Sequence, residues 1–245
     1  MYADSRETLE AKGLVKVYGG KRAVDRIDMT IQRSEIVGLL GPNGAGKTTT
    51  FYMMIGLTRP DAGRVLLDGK EITREPMYIR ARKGVNYLAQ EPSVFQKLTV
   101  RENLLAILEG LNIPRREIRE RAGRLLGELN IAHLADQKAA DLSGGERRRL
   151  EITRALITEP RFMLLDEPFA GIDPLALKDI NAIIRQLKAR GIGIIISDHN
   201  VRETLKVCDA AYIINEGKII EFGPPEVIVA SEIARDVYLG RDFNL

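Results

Sequence analysis

The chain has 245 residues, enough for one large α/β domain or for a core domain with an inserted subdomain. Its 37 basic and 34 acidic side chains leave a formal charge of +3, without the basic patch or tail of a dedicated nucleic-acid binder. Cys208 is the single cysteine and His133 and His199 are the two histidines, so the chain has neither a disulfide framework nor a thiol or histidine metal cluster in prospect.

The opening "MYADSRETLEAKG" is polar and mixed in charge, unlike a signal peptide. No apolar run approaches a membrane span, which predicts no direct membrane insertion, and the single cysteine fits a reducing, cytosolic setting. "LEAKGLVKVYGGKRAVDRIDMTI" alternates apolar and polar residues about Gly19-Gly20, predicting strands at the edge of an antiparallel sheet. "EIVGLLGPNGAGKTTTFYMMIGL" reads as a buried strand, a Gly-rich turn and an amphipathic helix. "GRVLLDGKEI" is a hairpin turning at Asp68-Gly69. From about Pro92 to Leu156 the spacing is helical and rich in charge. Apolar runs then return in "RFMLLD" and "GIGIIISD", as in parallel strands covered on both faces. A last hairpin, "AYIINEGKIIEFG", turns at Asn215-Glu216-Gly217, and a short helix follows from "PPEVIVASEIARDVYLG".

Gly41 to Thr49, "GPNGAGKTT", fits G-x-x-x-x-G-K-[ST] between a strand and a helix, the context of a P-loop. The loop runs Gly41, Pro42, Asn43, Gly44, Ala45 and Gly46; apart from Pro42, which has no N–H, its backbone N–H groups can turn inward as a nest, and the helix start adds unpaired donors. Lys47 brings charge to the β- and γ-phosphates, and Thr48 offers a hydroxyl to Mg²⁺. "FMLLDEP" places Asp166 at a buried strand end with Glu167 beside it. This is the Walker B arrangement, with Asp166 holding Mg²⁺ through water and Glu167 orienting or deprotonating the attacking water. His199 closes the next strand; a lone histidine is more often structural, but this strand end faces the same cleft as Lys47, Asp166 and Glu167. Gln90 could sense the γ-phosphate or the metal, or be a surface residue.

"DLSGGERRRLEITRAL", residues 141 to 156, starts a helix with Ser143 and Glu146 as a capping box. Gly144 and Gly145 each cost such a helix about 1 kcal/mol relative to Ala, so something must approach the backbone there. Arg147, Arg148 and Arg149 are read as a solvated face with i,i+4 partners such as Glu151; the alternative is that one supports the phosphate end. His133 and Cys208 are read as structural. The ending "DFNL", with Phe243 and Leu245, packs on a partner or frays.

Taken together, Gly41–Thr49, Gln90, "LSGGE", "FMLLDEP" and His199 resemble, in order and spacing over nearly the whole chain, an ATP-binding cassette (ABC) transporter ATPase. "LSGGE" is the phrase specific to that family. The resemblance implies one ABC ATPase domain over 1–245. Its P-loop NTPase (RecA-like) core and antiparallel β subdomain cover 1–90 and 157–245, and an inserted α-helical subdomain covers 91–156. It implies Mg·ATP as the bound group, with Tyr18 stacking on adenine and Thr49 in the phosphate cradle. It also implies metal contacts from Thr48, Asp166 and Gln90, and catalysis by Glu167, His199, Gln90 and Lys47. It makes Gln90 the link to a membrane subunit and Ala170–Asp173 a loop crossing a dimer interface.

Within the family, "VGLLGPNGAGKTTTFYM", "LTRPDAG", "LDEPFAGIDP", "SDHNVRETL" and "VYLGRDFNL" are similar to the lipopolysaccharide-export ATPases of Gram-negative bacteria. This implies work at the cytoplasmic face of the inner membrane with two transmembrane subunits, through a groove near Gln90–Phe95 in which Phe95 is the aromatic contact. Two departures stand out: Gln96-Lys97 where the similar proteins tend to carry an arginine first, and "SD" before His199 where they read "TD". Branched-chain amino acid importers share "GPNGAGKTT" and "FAG" and are the nearest competitor. A soluble, non-transport ABC protein or a P-loop kinase is a further alternative, weakened by the single cassette, the charge balance and "LSGGE". A second anion cradle is redundant within one chain. Ser143, Gly144 and Gly145 are therefore expected to meet ATP held by a second copy, in a homodimer, and the family resemblance implies Asp173 in the same contact.

Overall fold

In the computed structural model, residues 7–245 are described, so the first six positions of the polar leader and of the expected 1–245 domain lie outside the description. The alternation about Gly19-Gly20 becomes β1 (Thr8–Tyr18) and β2 (Lys21–Gln32), paired antiparallel. Leu9, Ala11 and Leu14 of the first and Val24, Ile27, Met29 and Ile31 of the second turn into the core. β3 (Ile36–Leu40) follows and is buried at every residue, as its unbroken apolar run requires.

After the Gly-rich turn comes α1 (Lys47–Ile55). It departs from the amphipathic expectation: Lys47, Thr50, Phe51, Met53, Met54 and Ile55 are all buried, because the helix lies between two sheets. β4 (Ala62–Leu67) and β5 (Lys70–Glu71) form the expected hairpin, with positive φ at both Asp68 and Gly69, as a type I′ turn demands. The four strands run in the order β2-β1-β4-β5, so the edge reading holds for β2 and not for β1, which has neighbours on both sides.

A short α2 (Met77–Arg82) leads to β6 (Val85–Leu88). The helical stretch resolves into α3 (Val100–Leu108), α4 (Arg115–Glu128) and α5 (Gly144–Ala155), joined by short 3-10 turns. The chain then returns as β7 (Phe162–Asp166), in parallel register with β6 from Val85 opposite Phe162 to Leu88 opposite Leu165. The helices are thus one long crossover between adjacent parallel strands. α6 (Pro174–Ala189), β8 (Gly193–Ser197), α7 (Val201–Val207), β9 (Ala210–Asn215) and β10 (Lys218–Gly223) complete a six-stranded sheet ordered β10-β9-β3-β8-β7-β6. Only β10 runs antiparallel to its neighbour.

Three apolar clusters hold these layers. One fills the space between the two sheets around α1, and one packs the helical crossover and α6 on the opposite sheet face. The third seats α8 (Pro225–Ala230), α9 (Glu232–Ala234) and the π-helical turn Arg235–Leu239 beside Leu40, Leu205 and Ile213. Phe243 joins this third cluster and lies under the Arg202 guanidinium, 5.5 Å from its ring centroid, so the tail packs on its own chain while Leu245 stays exposed. Cys208 is buried, which pushes its thiol well above the usual range and fits a structural residue.

Candidate active site

The loop after β3 ends at Gly46, with φ 110°. A Cβ there would sit 2.4 Å from the Ala23 carbonyl, so only glycine fits. α1 begins with no side-chain cap and no acid in its first turn, which leaves its N–H donors and positive dipole end for an anion. The β9–β10 turn braces the loop, Gly217 N–H donating to Ala45 O at 2.9 Å. Lys47 is buried beneath it and donates from Nζ to the carbonyls of Gly41 at 2.7 Å and Pro42 at 2.9 Å. Burial pulls its pKa down, opposed by the carboxylates of Glu167 and Asp166.

A cavity of 520 Å³ is lined by Asn43 through Thr49, Glu167, Ser197 and His199, among others. The structure therefore brings the P-loop residues together with two of the strand-end residues. A neighbouring cavity of 700 Å³ runs from Pro42–Ala45 to Tyr18, whose ring is half exposed and carries Lys16 Nζ 5.5 Å from its centroid. Phosphates and an aromatic base can thus be held by adjoining surfaces.

Glu167 sits just past β7 with φ 47°, a left-handed conformation that costs a non-glycine residue about 1 kcal/mol or more. Its N–H donates to Ser197 O at 2.6 Å, which turns the side chain back into the cleft. There Oε1 lies 2.6 Å from His199 Nε2, and Oε2 accepts from Gln90 Nε2 at 2.8 Å. Gln90 is thus tied to the site and not a bystander on the surface. Asp166 is buried, and burial raises its pKa, with the Tyr87 hydroxyl opposing by donating to Oδ2 at 3.0 Å. Asp198 is also buried and raised by burial, while the N–H groups of Asn200 and Phe169 donate to it.

The start of α5 is the expected capping box: Glu146 N–H donates to Ser143 Oγ, and Ser143 N–H donates to Glu146 Oε2. The P-loop cavity is not lined by Ser143, Gly144 or Gly145. Gly144 instead lines a third cavity, 520 Å³, with Gln90, Glu167 and Ala170–Ile172. The two glycines have a reason within the chain as well. A Cβ on Gly145 would lie 2.9 Å from Ala176 Cβ, and one on Gly144 would lie 3.0 Å from Gly171 O. Asp173 Oδ1 accepts from Ala176 N–H at 3.1 Å, so that residue caps α6.

The arginine reading needs correction. Arg148 is not solvated: it is 6% exposed, pairs with buried Glu151 at i+3, and donates to Ala89 O and Asp166 O, each at 3.1 Å. Arg149 pairs with Asp179, and Arg147 donates to Leu142 O at 3.2 Å. Arg148 therefore braces the backbone at Ala89 and Asp166, beside Gln90 and Glu167. The signal was present, since Arg148 follows Gly145 by three residues and precedes Ile152 by four on the buried stripe of α5. Tyr87 was missed too; its alternation with Val85 on β6 marks an inward face but not its bond to Asp166.

Phe95 is half exposed on the loop before α3. Buried Asn103 clamps that loop, accepting from Phe95 N–H at 2.8 Å and donating to Phe95 O at 3.0 Å. The Arg154 guanidinium lies 4.6 Å from the Phe95 ring centroid. Gln96 and Lys97 beside it are exposed.

A phosphate cradle, a strand-end carboxylate pair and a histidine bonded to the second of those carboxylates, on a largely parallel sheet, define a P-loop ATPase. The family model described as ABC transporter matches residues 24–170, and the chain belongs to that family as one of its ATP-binding, ATP-hydrolysing cassettes. It is 52% identical to the lipopolysaccharide export system ATP-binding protein LptB of Haemophilus influenzae, over 97% of this chain and 99% of that one. The protein of the same name from Acidithiobacillus ferridurans is 53% identical over 98% and 99%. Among solved structures, the ADP conformation of an ATP-binding cassette of an ABC transporter superposes with a TM-score of 0.87 at 30% identity, covering 96% of this chain and 99% of that one.

Proposed function

We propose that this chain is the ATPase subunit of lipopolysaccharide export, working as a homodimer on two transmembrane subunits at the cytoplasmic face of a bacterial inner membrane. No helix among the described residues is long and apolar enough to cross a membrane, so attachment through the Gln90–Phe95 surface is the route this reading requires. The near full-length identity to two proteins named for lipopolysaccharide export supports it over a branched-chain amino acid importer. The whole of 1–245 is then one ABC ATPase domain, with 91–156 as its helical part.

The observation that carries the mechanism is that Ser143, Gly144 and Gly145 do not line the P-loop cavity of their own chain, while Glu167 borders it. ATP seated on Gly41–Thr49, with Tyr18 against its base, presents its γ-phosphate toward Glu167. The helix start at Ser143–Gly145 of a second copy then closes over that phosphate, with Asp173 in the contact. Glu167 takes the proton of the attacking water, and His199 holds the carboxylate in place from Oε1. Lys47 neutralises charge on the β- and γ-oxygens.

Among the described residues no group of three or more His, Cys, Asp or Glu could hold a metal ion. The oxygen donors present are the exposed Thr48 hydroxyl, the Asp166 carboxylate and the Gln90 amide. A sparse oxygen set of this kind fits Mg²⁺, which keeps several waters and relies on phosphate oxygens. Thr48, Asp166 and Gln90 would hold the ion, which would supply charge neutralisation at the phosphates.

The test is purification of the tagged chain from membranes of its native host, with identification of the integral membrane proteins that accompany it. Lipopolysaccharide-export subunits are the expected result. An amino-acid permease in their place would overturn the transport assignment.

A further inference from the structure

Of the three side chains assigned to the metal, the hydroxyl and the carboxylate come from different elements, Thr48 from α1 and Asp166 from the end of β7. Magnesium demands near-ideal geometry, so these groups must be registered to within a fraction of an ångström. The P-loop itself does not touch Asp166 through any hydrogen bond among the described residues. Another pair of side chains spans the gap. Tyr52 lies one helical turn after Thr48, on the same face of α1. Its ring meets that of Tyr87 edge to face, with centroids 6.1 Å apart and planes at 85°. Tyr87, on β6, then donates its hydroxyl to Asp166 Oδ2 at 3.0 Å.

We propose that Tyr87 is a positioning residue for the metal site: its hydroxyl fixes the Asp166 carboxylate, and its ring keys that carboxylate to the helix face bearing Thr48. The inference rests on the reading of Asp166 as a metal-holding carboxylate. Chemistry favours a phenol in this place. A lysine or arginine bonded to Asp166 would bring a positive charge against the cation. A neutral donor occupies one oxygen, stabilises the ionised carboxylate in a buried position, and leaves Oδ1 for a metal-bound water. Arg148 meanwhile reaches only the backbone carbonyl of Asp166, at 3.1 Å, so the side-chain orientation falls to Tyr87.

The experiment uses the full chain and a fluorescent ATP analogue, with the dissociation constant measured in EDTA and at saturating Mg²⁺. The ratio of the two constants is the tightening that the metal contributes. Removing an outer hydrogen-bond partner of a metal ligand weakens metal affinity by about 10- to 100-fold. Tyr87→Phe, which keeps the ring and its contact with Tyr52, should therefore cut the ratio by about 10-fold or more while leaving the constant in EDTA unchanged. Val85→Ala, at a buried position on the same strand, should lower the melting temperature and leave the ratio as in the parent. An unchanged ratio in Tyr87→Phe overturns the inference, as does an equal loss with and without metal, which is the mark of a merely structural tyrosine. Asp166→Asn separates the two readings. If its ratio stays at the parental value, the metal assignment itself fails. If Asp166→Asn collapses the ratio and Tyr87→Phe does not, only the role of Tyr87 is lost.

Discussion

Replacement of Arg80 by Met should be among the most damaging single changes outside the active site. Arg80 is 1% exposed, yet it sits behind the P-loop helix. It donates to Met53 O at 2.8 Å and Met54 O at 2.7 Å, the last carbonyls of α1. Two further bonds reach Thr73 O at 2.8 Å and Glu75 O at 2.9 Å. A cation at this end of α1 also complements the helix dipole, whose other end faces the phosphates. Hydrogen bonds to a charged donor contribute about 1.5–3 kcal/mol each, so the four together reach about 6–12 kcal/mol if additive. Burying the guanidinium costs several kcal/mol in return, and that burial lowers its pKa to about 10, with the Glu75 carboxylate opposing. Methionine refills most of the volume and removes the guanidinium from all four carbonyls, leaving Met53 O with only the Gly56 N–H at 3.3 Å. The net loss expected is about 3–5 kcal/mol, the range for breaking a buried charged network. In urea unfolding this appears as a lower midpoint at constant slope. By differential scanning it appears as a fall of roughly 6–20 °C for a chain of this size. Arg80→Lys should recover less than half, since three donors on one nitrogen cannot serve four carbonyls. A loss below about 1 kcal/mol for Arg80→Met would refute the reasoning, because it would mean that the carbonyls find water or each other without cost.

Arg148→Met leaves Glu151 buried without its cation and should cost about 3–5 kcal/mol by urea unfolding. The double change with Glu151→Leu should restore much of that loss, and simple additivity would contradict the pairing. The capping box of α5 sets a pH dependence. The Ser143 hydroxyl and then its N–H hold the Glu146 carboxyl below the ordinary 4.5. A carboxylate whose folded pKa is depressed stabilises the fold above its unfolded pKa, and that contribution is lost as pH falls through the folded value. Melting temperatures of the parent and Glu146→Gln should therefore differ most above pH 4.5 and converge in more acidic solution. A difference that grows on acidification would contradict the assignment.

Much of this could be read from residues because local chemistry and tertiary demand coincided. Gly41–Thr49 needs a turn, a nest and a helix start in nine consecutive positions, and the fold places them there. The Asp68-Gly69 turn and the unbroken apolar strands were legible for the same reason. What escaped depends on neighbours distant in sequence. α1 is largely buried beyond its first turn, with only Thr48 exposed, because a second sheet covers it, and β1 is interior because β4 arrives later in the chain. Three consecutive arginines look alike until Ala89 O and Asp166 O select Arg148. The glycines of "LSGGE" were read as clearance for an approaching phosphate. Gly171 O in the loop before α6 and Ala176 on α6 show that close packing within the same chain also favours it.

The most direct test of a paired mechanism is the mass of Glu167→Gln with nucleotide. The substitution keeps the size of the side chain and removes the carboxylate that takes the proton from water. At saturating Mg·ATP the variant should bind nucleotide without turnover and elute, by size exclusion with light scattering, at twice the 27.3 kDa of the chain, returning to monomer when ATP is withdrawn. A Glu167→Gln protein that binds Mg·ATP and remains monomeric would contradict closure of one copy's Ser143–Gly145 over the ATP of another.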